Sequence, residues 1–256
     1  RKVYLPLASV AVRQARVAAD NLAGGRSTFK GVLATAVARL FDYSVGRTGL
    51  GLQEAGAAGF KAAATLVTAL DRPAYYPGQG LVLLKLITEE GTQRVLGAQA
   101  LGAAEVVKRI DVLASIIRLG GTVDDLAEVD LGYSPPFSTP LDVVHHAANT
   151  ARNKQTGLAQ TITPDELYAR MQNGDDLVIL DVRTPAQSAA KPFKDRRAVV
   201  IPLGELRARL AELPRDREIA VVCPQGLRSY EAQCILRGAG FGRVRFLEGG
   251  LNAWPY

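Results

Sequence analysis

Residues 219–229 read Ile219-Ala220-Val221-Val222-Cys223-Pro224-Gln225-Gly226-Leu227-Arg228-Ser229. A short β-branched run, a Pro/Gly loop and the opening of a helix follow one another without a gap. The run Ile219–Val222 has no polar alternation, so it predicts a strand buried on both faces, as in a parallel sheet. Cys223 then stands at the carboxyl end of that strand, where backbone N–H groups turn inward and a helix begins. Such amides and the positive end of the helix favour an anion or a thiolate. Arg228 adds a fixed positive charge that can fork onto an anionic substrate. A lone cysteine is often just a small buried hydrophobe. Gly226 and Arg228 at this spacing, however, have no packing reason to be present.

On both sides the pattern continues as alternating strands and helices. Thr163 suits an N-cap, Pro164 the first helical position, and Asp165 and Glu166 complement the helix dipole, predicting a helix over 164–172. Strands are expected at Leu177–Leu180, Ala198–Ile201 and Val244–Leu247, with helices at 203–212 and 229–239. Together they make a compact α/β domain with a parallel sheet, over about 160–256. The polar stretch 152–157 marks its boundary. Upstream, a helix at Ala8–Leu22 stops at Gly24-Gly25. Strand-like segments follow at Ala34–Phe41, Ala62–Ala69, Leu81–Thr88 and Arg94–Ala100, the last two joined by a turn at 89–92. A long helix (103–119) and a Pro-rich elbow (133–137) come next. Strands first and helices afterwards indicate an α+β domain with an antiparallel sheet.

Composition narrows the function classes. The 256 residues carry 31 basic and 25 acidic side chains, a net charge of +6, with no Lys/Arg-rich run that would suit nucleic acid. Apolar stretches such as Leu81–Leu84 fall far below the ~18 residues of a membrane span. Arg1-Lys2 leads into an Arg-interrupted helix rather than a signal peptide. Two cysteines are too few for a disulfide scaffold or a four-cysteine metal site, which makes a reducing cytoplasm the expected setting. Cys234, beside Ile235 and Leu236, is expected in the core. His145-His146 has no cysteine or carboxylate at ligand spacing, so no metal is expected. Met171 and Trp254 are expected to pack. No G-x-G-x-x-G opens a βαβ unit, so no dinucleotide site is complete in this chain.

The second half resembles the rhodanese sulfurtransferases. The resemblance rests on Leu180-Asp181-Val182-Arg183-Thr184-Pro185, Ile201-Pro202-Leu203, Cys223…Arg228-Ser229, Gly240-Phe241 and Leu247-Glu248-Gly249-Gly250 with Trp254. It implies that Cys223 takes a sulfane sulfur as a persulfide and passes it to a thiol. Gln225, Gly226, Leu227 and Ser229 would form the anion cradle, Arg228 would orient substrate, and Asp181 and Arg183 would brace the loop. Related phosphatases place five residues between cysteine and arginine; here there are four, a tighter cradle suited to one sulfur atom. The longer, more basic segment 187–197 departs from the rhodanese pattern. It is expected to alter a surface or acceptor docking, away from the nucleophile.

The first half resembles the carboxy-terminal portion of coenzyme A-disulfide reductases and related flavin NADH oxidases. The matching residues include Leu5-Pro6-Leu7-Ala8, Tyr75-Tyr76-Pro77-Gly78, Lys108-Arg109-Ile110-Asp111 and Tyr133-Ser134-Pro135-Pro136-Phe137. The resemblance implies the tail of a flavin domain over 1–25 and a dimerisation domain over 26–153, forming a homodimer through residues 30–152. Leu7 and Ala8 would approach the flavin, and Tyr76 and Tyr133 the partner's active site. FAD, NAD(P)H and coenzyme A are implied for a full-length relative, of which this chain would be the back half, a persulfide reductase fused to a rhodanese. The sulfur acceptor would be coenzyme A or a protein cysteine. The alternative is a non-catalytic dimerisation and sulfur-carrier module.

Overall fold

The computed structural model describes residues 4–256. Arg1–Val3, which open the expected flavin-domain tail, lie outside them. Helix α1 (Ala8–Leu22) leads into β1 (Ala36–Leu40), β2 (Tyr43–Gly49), a short α2 (Leu52–Ala57), β3 (Ala62–Leu70), β4 (Leu81–Glu89) and β5 (Val95–Gly102). These strands form one antiparallel sheet in the order β1-β2-β5-β4-β3. Helices α3 (Val107–Leu119), α4 (Val123–Glu128) and α5 (Val143–Gln155) follow. Leu84, Leu86 and Ala98 of the sheet pack with Ile110, Leu113 and Ala147 of the helices in one buried core.

The second half runs β6 (Thr161–Ile162), α6 (Pro164–Gln172), β7 (Leu177–Asp181), α7 (Pro185–Ala190), β8 (Ala198–Val200), β9 (Glu218–Val222), α8 (Leu227–Gly238) and β10 (Val244–Leu247). All its strand pairs are parallel, in the order β6-β10-β9-β7-β8. Every residue of β7 is buried. Leu177 and Ile179 enter one core, and Val178 and Leu180 the other, as the period-2 pleat requires. That double burial is what the unalternating apolar runs announce. The α+β and parallel α/β expectations are both met.

Three local readings differ. The expected strand Ala34–Phe41 turns back at Phe41-Asp42, with Phe41 at φ 54°, and β2 continues as a hairpin whose Tyr, Ser, Gly and Arg content hides it. The expected helix 203–212 is two 3₁₀ turns, Leu203–Ala208 and Leu210–Glu212, interrupted at Arg209; Gly204 weakens helix there. Helix α5 runs on to Gln155, through most of the polar stretch read as the boundary.

Arg109 anchors the helical layer. Its guanidinium, 1% exposed, meets the Asp142 carboxylate at 2.6 Å and donates to the carbonyls of Asp71 and Glu105. Asp142 in turn caps α5. Arg109→Ala would leave that carboxylate buried and uncompensated. We expect a loss of about 3–5 kcal/mol in the unfolding free energy by denaturant titration.

Candidate active site

Cys223 follows β9 and is 1% exposed. Gly226, at φ 96°, turns the chain from the strand into α8, a conformation that a side chain would strain. Its amide donates to Cys223 Sγ at 3.2 Å. The amides of Leu227, Arg228 and Ser229, in the first turn of α8, have no acceptor among the described residues. Ser229 Oγ is buried and also lacks a partner. One thiol, a set of amides and a hydroxyl without partners among the described residues thus belong to the positive end of one helix.

The floor of this loop is the turn after β10. Leu251 N–H donates to Cys223 O at 2.8 Å, and Asn252 N–H to Pro224 O at 2.9 Å. Gly250 (φ 63°) packs so closely that a Cβ there would lie 2.5 Å from Cys223 O and 2.6 Å from Gln225 N. Only glycine fits. The pair Gly249-Gly250 signals a turn in the sequence, but not that one member lies beneath Cys223.

Asp181 and Arg183 form a buried pair, with Arg183 Nη2 2.6 Å from Asp181 Oδ2. Ser188 Oγ donates to the same carboxylate, fixing the start of α7. From α7, Gln187 Oε1 accepts Arg228 Nη2 at 2.9 Å. Asp181 and Arg183 therefore both contact α7, whose Gln187 meets Arg228. The 187–197 segment, expected to lie away from the Cys223 loop, instead meets it, because its first residue holds Arg228. Sequence reading missed Gln187 for want of any acidic signature.

The loop is backed by the other sheet. Thr68 Oγ1 of β3 donates to Gly249 O at 2.7 Å, and Leu66 N–H donates to Glu248 Oε2 at 3.0 Å. Glu248 also accepts Thr161 Oγ1 at 2.6 Å and pairs with Lys154 of α5. Between the two halves lies a cavity of about 120 Å³, lined by Val67, His146, Gln225, Gly226 and Tyr230 among others.

Other expected residues lie apart. Tyr133, half exposed, lines a cleft with Arg72, Lys108 and Phe137, and Tyr76 sits half-buried nearby in sequence beyond β3. Leu7 is half-buried and Ala8 exposed, and α1 buries no residue. Leu7 and Ala8 by themselves therefore enclose no flavin. Cys234 is exposed rather than in the core. It stands two residues after inward-facing Ala232, about 200° around the helix. His145 Nδ1 accepts Asp142 N–H and Nε2 donates to Val129 O, so one ring nitrogen serves the α5 cap and the other ties it to the end of α4. Trp254 is half-buried among Phe193, Tyr168 and Tyr256. No helix among the described residues is long and apolar enough to cross a membrane.

Residues 35–143 match the pyridine nucleotide-disulphide oxidoreductase dimerisation domain, and residues 163–255 the rhodanese-like domain. The NAD(P)H sulfur oxidoreductase (CoA-dependent) of Pyrococcus furiosus is 38% identical over 142 residues, 56% of this chain and 32% of its own length. A NAD-dependent persulfide reductase from A. fulgidus superposes with a TM-score of 0.92 at 44% identity, covering 99% of this chain and 45% of that one. The reduced Bacillus anthracis CoADR-RHD structure gives 0.89 at 35% identity, with the same coverage. The chain spans about a third of the length of the curated relatives it matches.

His146, beside the cavity, ties stability to pH. Burial holds its pKa below the ordinary 6.5. The unfolded chain therefore binds a proton that the folded chain refuses. The stability present above about pH 6.5 is lost as pH falls below it. Unfolding free energies between pH 7.5 and 5.5 should fall in the parent and fall less in His146→Gln.

Proposed function

The chain joins a pyridine nucleotide-disulphide oxidoreductase dimerisation domain to a rhodanese-like domain, and from that pairing we propose that it transfers sulfane sulfur through Cys223. The observation that carries this reading is Cys223 Sγ accepting the Gly226 amide at the head of α8, whose first amides have no acceptor among the described residues. In the first step the Cys223 thiolate attacks the outer sulfur of a donor such as thiosulfate. A Cys223–S–S⁻ persulfide forms and sulfite leaves with the electron pair of the broken S–S bond. In the second step an acceptor thiolate attacks the terminal persulfide sulfur, giving R–S–S⁻ and restoring Cys223–S⁻. Charge and electrons balance without an external oxidant.

Each residue has a part in this cycle. The amides of Gln225 to Ser229 and the Ser229 hydroxyl hold the terminal sulfur and its negative charge. Arg228, held by Gln187, faces the incoming anion. Near-complete burial of Cys223 favours a slender terminal sulfur over a bulky ester. The relatives' names suggest coenzyme A polysulfide or persulfide as the surrounding chemistry. Joined to flavin- and NAD(P)H-binding domains, the chain would hand its sulfur to coenzyme A or to a reductase cysteine.

The first half would supply a homodimer through residues 30–152. Edge strand β1 exposes every residue, and Phe41 at its tip is 95% exposed. An apolar, unpaired edge of this kind calls for a cover. Tyr76 and Tyr133 would serve the partner's site and Leu7 and Ala8 a flavin, in the assembled enzyme.

Thiosulfate:cyanide sulfurtransfer should be measurable with this chain and vanish in Cys223→Ser; activity surviving that change would end the proposal. Gly250→Ala, which forces the loop floor upward, should cut turnover by about 100-fold while the protein stays folded by circular dichroism. Light scattering should give twice the monomer mass. A strict monomer at high concentration would contradict the dimer.

A further inference from the structure

Arg228 is the one side chain with a permanent charge in the loop 223–229. Among the described residues its hydrogen bond runs from Nη2 to Gln187 Oε1 at 2.9 Å, and it forms no ion pair. Other arginines of this half are matched by carboxylates. Arg170 meets Asp175, Arg183 meets Asp181, Arg197 meets Asp195 and Arg245 meets Glu166, all within 2.8 Å. Asp181, the carboxylate that contacts α7, is committed to Arg183 and to Ser188 Oγ. The guanidinium of the Cys223 loop is therefore held by a neutral amide and keeps its charge.

Helix α7 does not explain that amide. Thr184 and Gln187 form its capping box, each side chain accepting the other's backbone N–H. A glutamate serves in such a box as well as a glutamine, and its charge also suits the positive end of a helix. Local helix chemistry would accept a carboxylate here. The difference between the two residues is felt at Arg228 instead. A carboxylate in the place of Gln187 Oε1 would pair with the guanidinium and offset most of its charge.

We propose that Gln187 is a positioning residue that sets donor specificity: its neutral amide aims the Arg228 guanidinium without discharging it, so that the site favours sulfane-sulfur donors in proportion to their negative charge. The inference rests on the sulfur-transfer reading. A Cys223 thiolate and a dianionic donor repel one another, and Arg228 is the loop's only side-chain countercharge. Coulomb energy follows the product of the charges, so cancelling Arg228 weighs twice as much on a dianion as on a monoanion of the same shape. A steric disturbance of the loop carries no such weighting.

Thiosulfate and methanethiosulfonate supply the pair, since a methyl group in the second replaces one charged oxygen of the first. Each gives its outer sulfur to the Cys223 thiolate. The Cys223–S–S⁻ persulfide forms as the donor's S–S bond breaks, and the electron pair leaves with sulfite or with methanesulfinate. With cyanide as common acceptor, kcat/KM for the donor reads this first half alone. In Gln187→Glu we expect kcat/KM to fall about tenfold for thiosulfate and about threefold, the square root of that, for methanethiosulfonate. Both losses should shrink at high ionic strength, because Gln187 is exposed. Gln187→Ala, which frees Arg228 without adding charge, should slow both donors by the same factor. The donor ratio is taken within each variant, so a less well folded variant lowers both values and leaves the ratio intact. Equal losses or no loss in Gln187→Glu, or unequal losses in Gln187→Ala, would overturn the proposal. Turnover of neither donor by the parent chain sinks the sulfur-transfer reading and this inference with it. Turnover of both, with an unchanged ratio in Gln187→Glu, sinks this inference alone.

Discussion

The carboxylate of Glu248 is 2% exposed and gathers three donors from three places in the chain: the Leu66 amide of β3, the Lys154 ammonium of α5 and the Thr161 hydroxyl of β6. A buried carboxylate without such partners would cost several kcal/mol. Its satisfaction therefore demands that the antiparallel and parallel halves meet in one arrangement. The next residues carry the consequence forward. Gly249 O accepts Thr68, and Gly250 lies directly beneath Cys223 and Gln225. The joint between the domains and the floor of the catalytic loop are thus consecutive residues of one turn.

That continuity lets the first sheet support the Cys223 loop of the second half. The loop from Cys223 to Ser229 is held from below by Gly250, from the side by the Asp181–Arg183–Gln187–Arg228 chain, and from behind by β3. None of these supports touches the sulfur, but together they leave the α8 amides no freedom to turn away. Preorganised donors act on a developing charge without reorganisation at the moment of reaction. The irregular segment 187–197 contributes to this arrangement through Gln187.

Much of this was legible in the residues. The apolar runs at 177–180 and 219–222 are buried on both faces, and the Thr163-Pro164-Asp165-Glu166 start gives the helix 164–172 that it signals. Cys223, Gly226 and Arg228 are brought together because one loop carries them all. Less visible were features that depend on distant partners. Glu248 looks like any acidic residue until Leu66 and Lys154 arrive from 182 and 94 residues away. Gln187 has no catalytic signature of its own. Strand β2 was hidden by its polar content, and Cys234 misread because two apolar neighbours outweighed its helical phase. Local chemistry was readable; closure across the fold was not.

The central claim is that Cys223 carries sulfur between donor and acceptor. Intact-mass spectrometry after exposure to thiosulfate tests it most directly, followed by peptide mapping and by treatment with a thiol. The account predicts a gain of one sulfur atom, about 32 Da, located on the Cys223 peptide and removed by the thiol. No mass gain, or a gain located on the exposed Cys234, would contradict it.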